Sequence, residues 1–241
     1  MQVSIIIPAY NEARLLEQTL ATIQRHRHIW DAAGFTSELI VCDNNSTDNT
    51  AAIAAAHGAQ VVFEPINQIA RARNRGASIA TGDWLLFIDA DSLPSAELFA
   101  AVAQAIRSGN CLAGGCTIRL QGQHRGAQLL TRGWNWLSRA RRLLAGSFIF
   151  IEKSTFQSIG GFSEELFTGE ELDLSRRLRP LERKTHRRIM ILHQHPLLTS
   201  DRKMRLYSGR ELLGFLFTAL LRPRRTMRDK KACFAWYDGR R

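Results

Sequence analysis

The chain holds no Cys-x-x-Cys pair. Its four cysteines, Cys42, Cys111, Cys116 and Cys233, are scattered through 241 residues, which argues against a zinc site and for reduced core thiols in a reducing compartment. No run of about 18 apolar residues occurs, so no membrane-spanning helix is expected. No basic stretch followed by an apolar one opens the chain, because residues 3–7 (VSIII) already read as a strand; no secretory leader is expected. Repeats and low-complexity tracts are absent, and 6 prolines and 17 glycines point to no long disordered segment. The expectation is a globular cytoplasmic protein. With 45% hydrophobic and 23% charged residues, it has the composition of one domain, or of one domain with a tail.

Basic charge is scarce in one half only. Residues 1–100 carry 6 Lys/Arg against 11 Asp/Glu, whereas residues 101–241 carry 27 against 11 and produce the net charge of +11. An even basic coat would point to nucleic acid. A step toward one end points instead to a basic surface with a local task, such as docking on anionic lipid, or simply to solubility.

Apolar runs alternate with helical stretches through the first 90 residues. Residues 3–7, 38–42 (ELIVC), 60–63 (QVVF) and 84–88 (WLLFI) read as strands, with a helix carrying Leu15, Leu16, Leu20 and Ile23 after the first and another over 70–80. Near-continuous apolar strands alternating with helices predict an α/β fold with a mostly parallel sheet covered on both faces. The second half is less regular. Strands are expected at 112–120, 147–151 and 187–192, and helices at 127–144 and 170–178. A strongly apolar helix is expected at 206–221, and a soft boundary falls near residue 200.

Ligands of such sheets sit beyond the carboxyl ends of the strands, and three polar clusters fall there: 10–12, 43–48 and 89–91. Asp89 and Asp91, two carboxylates just past a buried strand, suit a hard divalent cation shared with phosphate oxygens. Asp43 can accept from a base N–H or a ribose hydroxyl, or it can cap the following helix with Ser46. Arg71, Arg73 and Asn74 lie on a helix beside that edge, where arginine suits phosphate; a solvated helix face is the bland alternative. Glu170 and Glu171 open a helix, which the helix dipole favours by itself, yet a carboxylate there can also act as a general base. His193, His195, Ser200, Arg202 and Lys203 follow the last strand and can close over a diphosphate.

Taken together and in order, SIIIPAYNE (4–12), ELIVCDNNSTDNT (38–50), ARARNRGASIATGDWLLFIDADS (70–92), GSFIFIEKSTFQSIGGF (146–162) and GEELDLSRRL (169–178) resemble glycosyltransferase family 2, the inverting enzymes of the GT-A fold. The resemblance implies a Rossmann-like sheet over residues 1–200, with a nucleotide-binding half (1–92) and an acceptor half (93–200), followed by a basic amphipathic tail (201–241). It implies that Pro8, Ala9, Tyr10 and Glu12 line a nucleotide pocket and that Asp43 binds the base, with Asn44 and Asn45 where the family often has Asp-Gly. Arg73 and Asn74 would lie near base or ribose, with Arg71 beside them. Asp89 and Ala90 would meet ribose or donor sugar. Asp91 would ligate Mn²⁺ or Mg²⁺, with Asp89 and His195 as further candidate ligands, and Arg202 and Lys203 would reach the diphosphate. Glu171 stands where the family usually has Asp and is the base candidate, Glu170 being the alternative. The donor would be a nucleotide-sugar, by resemblance a UDP-sugar, and the acceptor a saccharide or a lipid-linked hydroxyl.

Two other readings compete. A nucleotidyltransferase making a nucleotide-sugar would usually carry a Gly-rich loop after the first strand, where this chain has PAYNE. A basic nucleic-acid-binding module is opposed by the acidic first half and by the lack of aromatic-basic interleaving on a strand, so no nucleic-acid partner is expected. The apolar stretch 206–221, followed by Arg222, Arg224, Arg225, Arg228, Lys230 and Lys231, suits an interfacial segment on the inner face of a membrane, with Trp134, Trp136 and residues 139–142 adding to the same surface. The alternative is a helix packed on the domain or at a dimer contact.

Overall fold

Residues 1–122, 125–202, 206, 214, 218 and 223–237 are described in a computed structural model of the chain. The first half runs β1 (Gln2–Ala9), α1 (Leu16–His26), α2 (His28–Ala32), β2 (Thr36–Asp43), α3 (Thr50–Ala56), β3 (Gln60–Phe63), α4 (Ile69–Ile79) and β4 (Trp84–Ile88). Then come β5 (Ser92–Leu93), α5 (Ala96–Arg107), β6 (Cys111–Leu120), α6 (Arg125–Arg141), β7 (Phe148–Glu152), α7 (Lys153–Ser158), α8 (Glu170–Thr185) and β8 (Arg188–Thr199). Two short helices, α9 (Pro223–Met227) and α10 (Phe234–Tyr237), follow.

The strands are apolar on both faces because both faces are covered. Val3, Ile5 and Ile7 of β1 join one core cluster with Trp84, Leu86 and Ile88 of β4, under α1, α2 and α5. Ile6, Leu85 and Phe87 point the other way, into a cluster closed by Ala70 and Ala77 of α4, Phe156 of α7 and Leu174 and Leu178 of α8. The two-residue period of a strand deals successive side chains to opposite layers.

The strands form one eight-stranded sheet in the order β3-β2-β1-β4-β7-β6-β8-β5. β1, β2, β3 and β4 are parallel, so their carboxyl ends share one edge. β7 then runs antiparallel to both β4 and β6, β8 runs parallel to β6, and β5 antiparallel to β8. The sheet is therefore mixed beyond β4. Ranges also shift from expectation. β8 continues past residue 192 to Thr199, and α8 continues past 178 to Thr185 through Pro180. The bond that Pro180 cannot make falls on the exposed side of α8, where Arg176, Arg179 and Pro180 face water. Helix α5, capped by Ser95 accepting from the Leu98 N–H, had drawn no expectation.

All four cysteines are buried and free. Among the described residues, no helix is long and apolar enough to cross a membrane. The expected helix 206–221 falls almost wholly outside the described residues, as does Lys203. The described end of the tail folds back onto the domain. The Phe167 N–H donates to the Met227 carbonyl at 2.7 Å, Arg228 pairs with Glu165, and the Tyr237 ring meets Phe167 edge-on at 5.5 Å.

Gly76 sets how closely α4 approaches β1, since a methyl group there would lie 2.4 Å from Ile6 Cγ2. Gly76→Ala is expected to cost about 1–3 kcal/mol through overpacking. Urea unfolding measures it. The double variant Gly76→Ala/Ile6→Ala should unfold nearer the Ile6→Ala single variant than the sum of the two costs, and strict additivity would show that this contact is not the cause.

Candidate active site

The carboxyl ends of β1 and β2 are tied together by their own polar residues. Asp43 Oδ1 accepts from the Ser46 N–H at 3.1 Å, Ser46 Oγ from the Asn11 N–H at 3.0 Å, and Thr50 Oγ1 from the Glu12 N–H at 2.8 Å. Asn11 (φ 51°) and Asn45 (φ 66°) take the left-handed turns this requires. Asn44, 3% exposed, holds the next crossover: its Nδ2 donates to the Ile66 carbonyl at 2.7 Å and its Oδ1 accepts from the Gln68 N–H at 2.8 Å. Much of the 43–48 cluster is thus loop construction, with Asp43 buried and Asn45 exposed.

Past this edge, the side chains converge on Arg73. It projects from α4, is 1% exposed, and makes three strong contacts. Nη2 donates to Asp89 Oδ1 at 2.9 Å and to the Gly146 carbonyl at 2.7 Å, and Nη1 donates to Glu170 Oε1 at 2.6 Å. The Phe162 ring lies 5.2 Å beneath the guanidinium. Burial opposes the charge, but the carboxylates of Asp89, then Glu170 and Glu171, outweigh it and push the Arg73 pKa further above its ordinary value.

Glu170 and Glu171 separate by environment. Gly169, at φ 75°, turns the chain into α8 and places both in its first turn. Glu170 is buried and committed to Arg73. Glu171 is only partly buried; burial, then the neighbouring Glu170 charge, pushes its carboxyl up to about 8. A methyl group on Gly146 would come within 3.4 Å of Arg73 Nη2 and 3.6 Å of the Glu171 carboxyl carbon. Bare backbone therefore lies between the guanidinium and Glu171.

Asp91 sits across the strand end. Its carbonyl accepts from the Ser200 N–H at 3.2 Å and its Oδ1 from Thr199 Oγ1 at 3.5 Å. Arg202 grips Glu12 with two hydrogen bonds, 2.7 and 2.6 Å, and its Nη2 stands 4.0 Å from Asp91 Oδ2. A cation is thus already drawn to this carboxylate. Among the described residues, no group of three or more His, Cys, Asp or Glu is arranged to hold a metal. The donor set fits a hard divalent ion held by Asp91 and completed by diphosphate and water oxygens, the usual arrangement for Mg²⁺ on phosphates.

A cleft of about 590 Å³, counting its open mouth, lies along this edge. Pro8, Ala9, Tyr10, Glu12, Asp89, Ala90, Asp91 and Arg202 line it, with Asn44, Asn67, Ile69 and Tyr237. Other expected residues are elsewhere. Arg71 pairs with Glu164 at 3.0 Å. Asn74 clamps the Phe162 backbone with two 2.9 Å bonds. His195 is not among the residues that line the cleft. It lies on β8 four residues before Thr199, the contact of Asp91, which is about 13 Å at strand rise, and its charge acts on Glu97. Tyr237 went unread because nothing in the tail sequence marks a cleft residue; the Ile69 N–H donates to its hydroxyl at 3.3 Å.

The model of glycosyl transferase family 2 matches residues 4–161, more than half of the chain, and the chain belongs to that family. An uncharacterised glycosyltransferase of Mycobacterium bovis is 37% identical over 113 residues, covering 46% of this chain and 47% of that protein. The chain thus matches about half the length of such curated relatives. Among solved structures, the mannosyltransferase PcManGT of Pyrobaculum calidifontis, in complex with GDP-Man and Mn²⁺, superposes with a TM-score of 0.67 at 20% identity, covering 98% of this chain and 67% of that one. Glucosyl-3-phosphoglycerate synthase of Mycobacterium tuberculosis, in complex with Mn²⁺, UDP-glucose and phosphoglyceric acid, gives 0.62 at 21% identity, over 95% and 81%. The fold is that of the GT-A glycosyltransferases.

Arg73→Met strands Asp89 and Glu170 without their counter-charge and is expected to cost about 3–5 kcal/mol in urea unfolding, with part recovered by adding Glu170→Gln. A loss under about 1 kcal/mol would mean the cluster does not hold the fold. Glu171 yields a second expectation. Its folded pKa, about 8 against an ordinary 4.5, means the folded state keeps a proton the unfolded chain has released. Its contribution to stability is full below about pH 4.5 and is lost as pH rises to about 8. Glu171→Gln should therefore gain stability over the parent at pH 8.5 but not at pH 4.5, and an offset independent of pH would refute the raised pKa.

Proposed function

We propose that the chain transfers a sugar, with inversion, from a nucleoside-diphosphate donor to an acceptor hydroxyl. The observation that carries this is the division of the carboxylates. Asp91 faces the cleft where a cation is drawn, Glu170 is consumed by Arg73, and Glu171 is left with a raised pKa beside them.

Pro8, Ala9 and Tyr10 supply the wall for the nucleotide, and Asp89, pinned by Arg73, faces ribose or donor sugar. Structural neighbours solved with Mn²⁺ and nucleotide-sugars support a divalent ion at Asp91, which when bound would neutralise charge growing on the leaving diphosphate. Glu171 accepts the acceptor's hydroxyl proton; the oxygen attacks the anomeric carbon from the face opposite the diphosphate, and one displacement inverts its configuration. A carboxylate with a pKa near neutrality is matched to that transfer. Arg202 is close enough to exchange its Glu12 partner for a diphosphate oxygen. The donor base is proposed as uridine, and the acceptor as a saccharide or a lipid-linked hydroxyl.

Asp91→Ala should abolish Mn²⁺-dependent turnover of the donor and weaken Mn²⁺ binding measured with the donor diphosphate present. Glu171→Gln should retain donor binding by calorimetry and lose transfer by at least about a hundredfold. Intact turnover in the Asp91 variant would reject the proposal, and a product anomer of the donor's own configuration, read by proton NMR, would reject inversion.

A further inference from the structure

Helix α6 is turned inside out. Its inward face is small and polar, with Ala127, Thr131 and Ser138 at most 9% exposed. The hydrogen bonds of that face are met by neighbouring backbone. Asn135 Oδ1 accepts from the Ile118 N–H at 3.0 Å and its Nδ2 donates to the Ile118 carbonyl at 2.8 Å. Gln128 donates to the Gly122 carbonyl at 2.8 Å, and Ser138 to the Leu143 carbonyl at 2.6 Å. The apolar side chains point outward instead: Leu129 is 69% exposed, Leu130 63%, Trp136 70% and Leu137 38%. At 3.6 residues per turn these four and Gly133 form a single stripe. Exposed Arg132 and Arg139 border it on one side and exposed Arg141 on the other.

Charge says what this stripe meets. No Asp or Glu occurs between Glu97 and Glu152, so no acidic residue of that whole segment neutralises the arginine borders. A second copy of the chain would set like-charged borders against each other, which is unfavourable. An oligonucleotide would satisfy the arginines and leave the leucines in water. A bilayer of anionic lipids meets both demands, taking Leu and Trp into the acyl boundary and the arginines at its headgroups.

We propose that the Leu129–Leu130–Trp136–Leu137 face of α6 docks the protein on an anionic lipid surface. The geometry ties this surface to the site. Just beyond α6, the Leu144 N–H donates to Ser175 Oγ on α8 at 3.0 Å, and Gly146 adjoins Arg73 and Glu171. A protein docked through α6 would hold the segment that adjoins Glu171 close to the lipid surface. That consequence rests on the glycosyl-transfer reading, whereas the docking itself does not.

The test is flotation of the full chain with phosphatidylcholine vesicles, with and without phosphatidylglycerol. Binding is expected only with phosphatidylglycerol and should weaken as salt rises. Leu130→Ser/Trp136→Ser should lose about tenfold or more in vesicle affinity, and Arg139→Glu about fivefold or more. Circular dichroism and donor hydrolysis in solution should be unchanged in both variants, because none of these side chains enters the cleft. Failure of the parent chain to float at low salt overturns the proposal. So does flotation that both variants retain, which would assign binding to another segment. A concentration-dependent dimer abolished by Leu130→Ser/Trp136→Ser, without vesicle binding, overturns it in favour of a second copy. Loss of donor hydrolysis in the parent chain bears on the chemistry alone.

Discussion

A guanidinium sealed inside a protein cannot stand alone, and Arg73 has been given two carboxylates and a carbonyl. Desolvation of an ion is costed in several kcal/mol, so Arg73, Asp89 and Glu170 must assemble together or not at all. Their partners come from α4, the end of β4, the turn before β7 and the start of α8. One side chain therefore fixes the carboxyl end of β4 to the start of α8, which carries Glu170 and Glu171. It also separates the two glutamates: Glu170 is bonded to Arg73, and burial, then the Glu170 charge, pushes the carboxyl of its neighbour Glu171 up to about 8.

A second pair works on the cleft itself. Glu12 at the end of β1 and Arg202 beyond β8 are joined by two short bonds across the mouth, with Asp91 within 4.0 Å. Both ends of this pair come from opposite halves of the chain. A divalent ion and a diphosphate brought together add little net charge to that neighbourhood, so the carboxylates and Arg202 can re-pair with them without leaving a buried charge uncompensated.

Much of this was legible in the sequence where the signal is local. QVVF and WLLFI are the strands β3 and β4 residue for residue, because an apolar run bounded by polar turns leaves little choice of ends. The Asp89–Asp91 turn and the Glu170–Glu171 pair were visible as chemistry at strand and helix ends. What could not be read is what distant residues do to one another. Arg73 and Asn74 look alike as polar residues of one helix, yet the first is the pin of the site and the second a clamp on the Phe162 backbone. His193 and His195 were read as following the last strand beside a basic run, whereas β8 runs on to Thr199 and takes both histidines into the strand. Tyr237 reaches the cleft by a fold-back of the tail that no periodicity announces.

The reversal of α6 belongs to the same lesson. In the sequence, residues 127–144 read as a helix whose Trp134, Trp136 and residues 139–142 could add to an interfacial surface; which of its faces turns inward was not legible. Here β6 and the turn after it offer the helix backbone at Ile118 and Gly122, which Asn135 and Gln128 satisfy. A leucine in their place would leave the Ile118 N–H and carbonyl without partners, a loss on the order of 1–3 kcal/mol for each buried polar group. The polar face must therefore turn inward, and the apolar face is left to meet something outside the chain. In a segment with no acidic residue, that something has to be apolar and negatively charged at once.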